Sequence, residues 1–285
     1  MKLLVFGQTG QVARELQARA GPDLEIVALG RDRANLEDPA ACAEQVAQTG
    51  AEAVINAAAY TGVDRAEAEE ARATVINGAA PAAMAEAAAR RGIPFLHVST
   101  DYVFDGSGGA PFAPGDRPAP VNAYGRSKLA GEEGVRAAGG QAAILRTSWV
   151  FSAHGANFVK TMLGLSQTRD ALSVVDDQIG GPTPAGDIAA TLITMARAML
   201  AGQGGGTWHF AGAPAISWAG FARETFAQAE RDVAVTGIPG SDYPTPAARP
   251  LNSRLDCATL ETDFGIKPAD WKAGLARVIA ELETR

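Results

Sequence analysis

Cysteine is nearly missing from this chain. Two occur in 285 residues, Cys42 and Cys257, far apart and in no CxxC pair, which excludes a disulfide framework and gives no zinc signature. A reducing cytoplasm is the expected home. Histidine is scarce as well: His97, His154 and His209 stand at no ligand spacing, so no metal site is expected within the chain. No apolar run reaches membrane-spanning length, so no membrane partner is expected. The opening "MKLLVFGQTG" holds one lysine and a short apolar run, a buried strand rather than a signal-peptide core. Nor is there a surplus of positive charge. Lys+Arg 25 against Asp+Glu 32 leaves −7, so nothing draws a polyanion and nucleic acid is not an expected partner. Internal repeats and low-complexity segments are missing too.

What is present is an alternation. Short apolar runs, "KLLVFG", "LEIVALG", "AEAVIN", "IPFLHVST" and "QAAILRTSWVF", are separated by alanine-rich stretches that read as helices: after Gly10, over Pro39–Thr49, over Ala79–Arg91 and over Tyr124–Ala138. Strands alternating with helices predict parallel strands joined by crossovers, an α/β doubly wound sheet. After Phe151 the regularity weakens. "NFVKTMLGLSQ" reads as helix, "ALSVVDDQIGGPTP" as a strand running into a Gly/Pro loop, "DIAATLITMARAML" as helix, and further helices are expected over Trp218–Glu230 and Trp271–Leu282. The expected division is a Rossmann-like dinucleotide domain, 1–151 plus about 175–213, and a smaller α/β substrate domain from about 152–174 plus 214–285.

Three local patterns carry chemistry. In "VFGQTGQVA", Gly7, Gly10 and Ala13 form a GxxGxxA run directly after the first strand and open a helix. Glycine permits close approach to a pyrophosphate, and the N–H groups of the helix start attract its charge. Gly7, Gln8, Thr9, Gly10, Gln11 and Val12 are therefore cofactor candidates. About twenty residues on, where a ribose-reading residue is expected, stand Arg31 and Asp32. Arg31 favours a 2′-phosphate and hence NADPH, while Asp32 keeps NADH open. Asn35 and Leu36 follow near the adenine, and Ala57, Ala58, Ala59 and Tyr60 end the next strand, with small side chains against which a cofactor can lie. The second pattern, "HVSTDYVFDG", places Thr100 and Asp101 at a strand end, where ligands bind in open parallel sheets, with Val103 and Phe104 just beyond as substrate candidates. The third is "AYGRSKLAGE", which puts Tyr124 and Lys128 four positions apart on one helix face. A phenol beside an ammonium is a proton donor with a lowered pKa; Lys128 is also expected to hold the nicotinamide ribose.

In chain order these features resemble the extended short-chain dehydrogenase/reductase superfamily. The blocks "INAAAYTGVDRAE", "VSTDYVFDG", "YGRSKLAGE", "ILRTSWVF", "DDQIGGPTP" and "RPLNSRLD" narrow the resemblance to the dTDP-4-dehydrorhamnose reductase family. Ala13 and Asn35 depart from its pattern. The resemblance implies reduction of a 4-keto nucleotide sugar by NAD(P)H, with Tyr124, Lys128, Thr100 and Asp101 catalytic. It also implies a substrate cleft involving Trp149, Asn157, Gln178, Thr183, Arg249, Asn252 and Ser253. Arg249 suits a bidentate diphosphate contact and Trp149 an apolar sugar face. Some relatives carry Mg2+ between subunits, which the sequence neither requires nor excludes, and either a monomer or a homodimer is compatible with it. Two rivals stand beside this reading. One is a nucleotide-sugar dehydratase or epimerase, disfavoured because Asp101–Tyr102 occupies the place of an Asp-Glu elimination pair. The other is a non-catalytic NADP-binding regulatory subunit of a methionine adenosyltransferase.

Overall fold

A computed structural model describes residues 1–284. Five strands, β1 (Lys2–Phe6), β2 (Glu25–Leu29), β3 (Ala53–Asn56), β4 (Phe95–Thr100) and β5 (Ala142–Thr147), join the later strand Gly206–His209 in one sheet. Its spatial order is Gly206–His209, β5, β4, β3, β1, β2, and every neighbouring pair is parallel. Alternation along β1 explains why both faces are covered. Leu3 and Val5 point into a core shared with helices α1 (Gln11–Gln17) and, much later in the chain, Ala185–Leu200. Leu4 and Phe6 point the other way, against α2 (Pro39–Gln48) and the helix Ala80–Arg91. Burying each such Leu or Phe contributes about 1.5–3 kcal/mol.

Two short helices, α3 (Val63–Ala66) and α4 (Glu70–Thr74), run through a π-helical turn, Val75–Ala79, into α5 (Ala80–Arg91). The decisive helix is α6 (Ala123–Ala137). The Asn122 side chain caps it by accepting the Gly125 N–H at 2.8 Å. At Gly125 a Cβ would overlap the Tyr102 carbonyl, so only glycine lets the first turn of α6 approach the end of β4.

The remaining helices are α7 (Phe158–Leu165), α8 (Ala185–Leu200), α9 (Trp218–Gln228), α10 (Ala258–Phe264) and α11 (Trp271–Glu283). The strand Ala171–Val175 pairs with Ala234–Ile238 in parallel beneath α7 and α9, whose apolar sides meet over Met162, Leu172 and Phe226. Phe151, Phe221 and Trp271 fill a neighbouring core with α11. A three-stranded patch of Ile216–Ser217, Ile179–Gly180 and Asn252–Ser253 brings distant parts of the C-terminal half together.

The alternation read from the sequence is present, with helix bounds displaced by one or two residues. Strand Ala234–Ile238 and helix α10 were not expected. The first is a half-exposed "AVTGI" and the second is seven residues long, so neither is long or regular enough to show a clear hydrophobic period. Among the described residues no helix is long and apolar enough to cross a membrane.

Candidate active site

The order of the sheet reverses at β1, which has β2 on one side and β3 on the other. The crevice at such a switch point is where open α/β sheets bind ligands. Gly7 sits there with φ 112°, and a Cβ on it would lie 3.3 Å from that of Ala13 and 3.5 Å from the Ala57 backbone. The third small residue of GxxGxxA is thus packed against the first, and alanine fits. Gly10 precedes α1 with no side-chain cap, which leaves the helix-start N–H groups to an anion. Gln8, Thr9, Gly10, Arg31 and Asn35 are exposed along this crevice, and Ala57, Ala58 and Ala59 are half-buried. These features fit a dinucleotide cradle.

Four cofactor candidates have their side chains elsewhere. Val12 and Leu36 are core residues on opposite faces of the sheet. The Tyr60 hydroxyl donates to Glu69 and accepts from Arg65. Gln11 accepts from Ser152 and Asn157 at 3.0 Å each. At these positions only the backbone is left for a cofactor. Asn157 itself caps α7 through the Lys160 N–H and donates to Gln11, Ser152 O and His154 O, which makes it a strut rather than a free substrate ligand.

Strand β4 and helix α6 assemble the reactive groups. Thr100 donates to Asp101 Oδ1 at 3.0 Å and accepts the Tyr102 N–H. Burial pushes the Tyr124 phenol up to about 12, against a lowering hydrogen bond with Thr100. Burial likewise raises Asp101, 4% exposed, to about 6, with Ser253 and Thr100 holding it down. Asp101 Oδ2 and, on the neighbouring strand, Thr147 Oγ1 are buried with no protein partner. The Tyr102 ring stands edge-on to Tyr124 at 5.5 Å.

Lys128 corrects one expectation. It is 2% exposed, and its Nζ donates to Val98 O at 2.8 Å and meets His97 Nε2 at 3.2 Å. Burial brings it down to about 8, with Glu132 opposing. The ammonium is engaged by β4, at Val98 and His97, and burial sets the direction of the Tyr124 phenol.

On the substrate side, Ser253 lies against Asp101. Trp149 takes the left-handed backbone (φ 47°) and stacks on Trp218 with ring centres 3.5 Å apart. Gln178 is half-buried beside Gly240. The other candidates are tied up structurally. Thr183 is buried, donating to Gly181 O and accepting the Gly212 N–H. Asn252 holds Ser107 O and Ala110 O. Arg249 pairs with Asp64 at 2.8 Å and donates to Ala247 O. Val103 and Phe104 are fully buried, Phe104 stacked on Phe112 and under the Arg146 guanidinium. They line the core behind the site.

Sequence reasoning missed a second buried cluster. Glu132, one turn past Lys128, accepts from Arg146, Arg136 and Ser99 at 2.6–2.8 Å. Arg146 also donates to Pro114 O and lies 3.3 Å from His209 Nε2. It missed His97 and Asn56 as well. A signal existed: each is a polar residue within an apolar strand, and a buried polar group has to find partners.

Sheet, switch-point crevice and the Thr100–Tyr124–Lys128 arrangement define a Rossmann-type oxidoreductase of the short-chain dehydrogenase/reductase kind. Solved nucleotide-sugar enzymes under 20% identical share only this fold, such as a dTDP-glucose 4,6-dehydratase of Streptomyces venezuelae (19%, TM-score 0.78). More specifically, the chain belongs to the family described as RmlD substrate binding domain, whose model matches residues 1–284. It is 44% identical to a dTDP-4-dehydrorhamnose reductase of Sinorhizobium fredii, over 98% of this chain and 97% of that protein. It is 37% identical to the one of Escherichia coli K12, over 100% and 99%. A dTDP-4-dehydrorhamnose reductase structure from Bacillus anthracis in complex with NADP superposes with a TM-score of 0.93 at 32% identity, covering 98% of this chain and 99% of that one.

Proposed function

We propose that this protein reduces the 4-keto group of dTDP-4-dehydro-L-rhamnose to give dTDP-L-rhamnose. The observation that carries the reading is the meeting of Thr100, Asp101 and Tyr124 at the carboxyl end of β4, beside a cradle fit for a dinucleotide. NADPH, when bound, supplies the hydride; the exposed Arg31 suits its 2′-phosphate, and NADH is an alternative donor. Gly7, Gly10 and the half-buried Ala57–Ala59 would hold it.

Tyr124 delivers the proton. With its pKa raised to about 12, the phenol is protonated across neutral pH. Thr100 hydrogen-bonds the oxygen on which charge develops, stabilising it as a fixed donor does. Asp101 Oδ2, buried and unpartnered, is suited to accept a sugar hydroxyl. Trp149, backed by Trp218, offers an apolar face to the deoxysugar. The division proposed is a dinucleotide domain of 1–151 plus about 175–213 and a substrate domain from about 152–174 plus 214–285, with the sugar nucleotide between them.

The elimination chemistry of a dehydratase is disfavoured by Tyr102, whose ring packs on Tyr124 where a second carboxylate would be required. Both cysteines are buried, and burial lifts each thiol to about 11, in keeping with a cytoplasmic setting. A homodimer or a monomer serves this reading equally.

The test is loss of NADPH absorbance, then of NADH, on adding dTDP-4-dehydro-L-rhamnose, with dTDP-4-dehydro-6-deoxy-D-glucose for comparison. Oxidation with the first sugar alone is expected. No oxidation with either would sink the reading and favour a non-catalytic NADP-binding subunit.

A further inference from the structure

Behind the reactive groups runs a chain of buried polar contacts that the reduction itself does not require. The Ala58 N–H donates to Asn56 Oδ1 at 3.2 Å. That fixes the amide, so Asn56 Nδ2 faces His97 Nδ1 at 3.2 Å. Nδ1 must then accept, and a neutral imidazole carries its proton on the other nitrogen. Nε2–H therefore points at Lys128 Nζ, 3.2 Å away, where only a neutral amine can accept it. All three side chains are buried, Asn56 and His97 completely, so none of them can turn to water.

A charged Lys128 demands the opposite arrangement. Its ammonium needs Nε2 as an acceptor, which moves the ring proton to Nδ1. The Asn56 carbonyl must then turn to receive it, giving up the Ala58 N–H. The network has one setting for each charge of Lys128, and the charged one leaves the Ala58 N–H without its acceptor, so the backbone there must adjust. We propose that His97 is a positioning residue that couples the charge of Lys128 to the Asn56 amide and, through it, to the backbone at Ala58 on the dinucleotide side of the cleft. The inference rests on the reading of Ala57–Ala59 as part of the dinucleotide site. By linkage, a dinucleotide that favours one setting of the Ala58 backbone shifts the proton on Lys128, and the proton shifts dinucleotide affinity by the same factor.

The groups around Lys128 leave His97 as its direct titratable contact. Glu132 and Tyr124 stand one turn away on α6, and Asp101 follows β4. Strand β3 and the turn Val75–Ala79 contribute the neutral amides Asn56 and Asn77. The α3–α4 corner meets the outer side of α6 through Glu67 on the Ala123 N–H and Glu70 on Arg126. Burial keeps His97 neutral by lowering it well below its ordinary value, and the Lys128 charge adds to this.

The experiment is long-range proton–nitrogen NMR of the full chain, labelled at its three histidines, from pH 6 to 10 with and without NADP+. His97 is assigned by its loss in His97→Gln. The ring is expected to carry its proton on Nε2 at high pH and to pass to the Nδ1 form as the pH falls through about 8, where Lys128 gains its charge. NADP+ is expected to move that midpoint. In parallel, the NADPH dissociation constant should bend with pH near the same midpoint. His97→Gln, whose amide can offer an oxygen to the ammonium without asking Asn56 to turn, cuts the link to Ala58 and should flatten the bend. A single tautomer across the whole range, or a bend that His97→Gln leaves in place, overturns the proposal. Should that variant not fold, His154→Gln and the ring contact with Phe95 assign the spectrum, and the wild-type titration decides alone. No sugar is used, so failure of the reductase reading would show separately.

Discussion

Helix α6 carries two buried charges one turn apart, and the protein treats them oppositely. Glu132, 0% exposed, is met by two guanidinium groups and a hydroxyl. Burial would raise it, yet Arg146, then Ser99 and Arg136, carry it below the ordinary carboxylate range. Lys128 has a carbonyl and an imidazole, no anion in contact, and falls to about 8. Asp101 on the adjoining strand end is left one oxygen short and rises to about 6. The satisfied charge ties α6 to β5 and, through Pro114 O, to the loop between β4 and α6. Of the unsatisfied ones, Asp101 stands at the carboxyl end of β4 and Lys128 lies buried against that strand. A buried charge with every partner in place builds structure, whereas one held short of partners stays poised to respond to a ligand or a proton.

The sharpest break of that contrast is chemical. Tyr124→Phe should keep NADPH binding, measured by fluorescence titration, and lose about 10²–10⁴ in turnover. A variant with near-normal kcat would remove Tyr124 as the acid. Next comes the structural charge. Arg146→Met leaves Glu132 buried with its main partner gone and should cost about 3–5 kcal/mol in denaturant unfolding, lost at neutral pH and less evident in acid. The sign follows from Glu132: a depressed carboxyl stabilises above its unfolded pKa, and that stability is lost as pH falls through the folded one.

Asp101 should behave in the reverse sense. Its raised pKa means that ionisation in the fold is unfavourable, so its contribution worsens as pH climbs from the unfolded value through about 6. Asp101→Asn is expected to stabilise the protein by about 1–3 kcal/mol at pH 8, with the gain fading towards pH 4, while turnover falls. A melting curve that shows equal loss at both pH values would place Asp101 among the structural charges instead. The smallest effect belongs to the cap. Asn122→Ala removes the acceptor for the Gly125 N–H and the donor to Ala248 O and should cost about 1–2 kcal/mol. Because the first turn of α6 carries Tyr124, kcat should fall more than NADPH affinity.

Legibility in the sequence followed distance along the chain. GxxGxxA after the first strand, the Thr100–Asp101 strand end and the Tyr124–Lys128 spacing are local patterns, and the fold carries each where its spacing implied. The roles that needed revision depend on remote contacts. Lys128 was expected to meet Tyr124 and meets His97, on a strand 31 residues earlier. Asn157 and Gln11, assigned to different ligands, bond to each other across 146 residues. Val103 and Phe104 looked cleft-facing because they follow Asp101, yet the tight turn there buries them against Phe112 and Arg146.

Alternating strand and helix patterns, glycine where backbone and phosphate must approach, and a phenol and an amine on one helix face were determined by the sequence alone, since each rests on geometry repeating within a few residues. Which buried charge is satisfied and which is left poised was decided only by the tertiary structure. Hydrogen-bond partners in a closed interior come from whichever segments packing brings within 3 Å or so, and no local spacing records that choice.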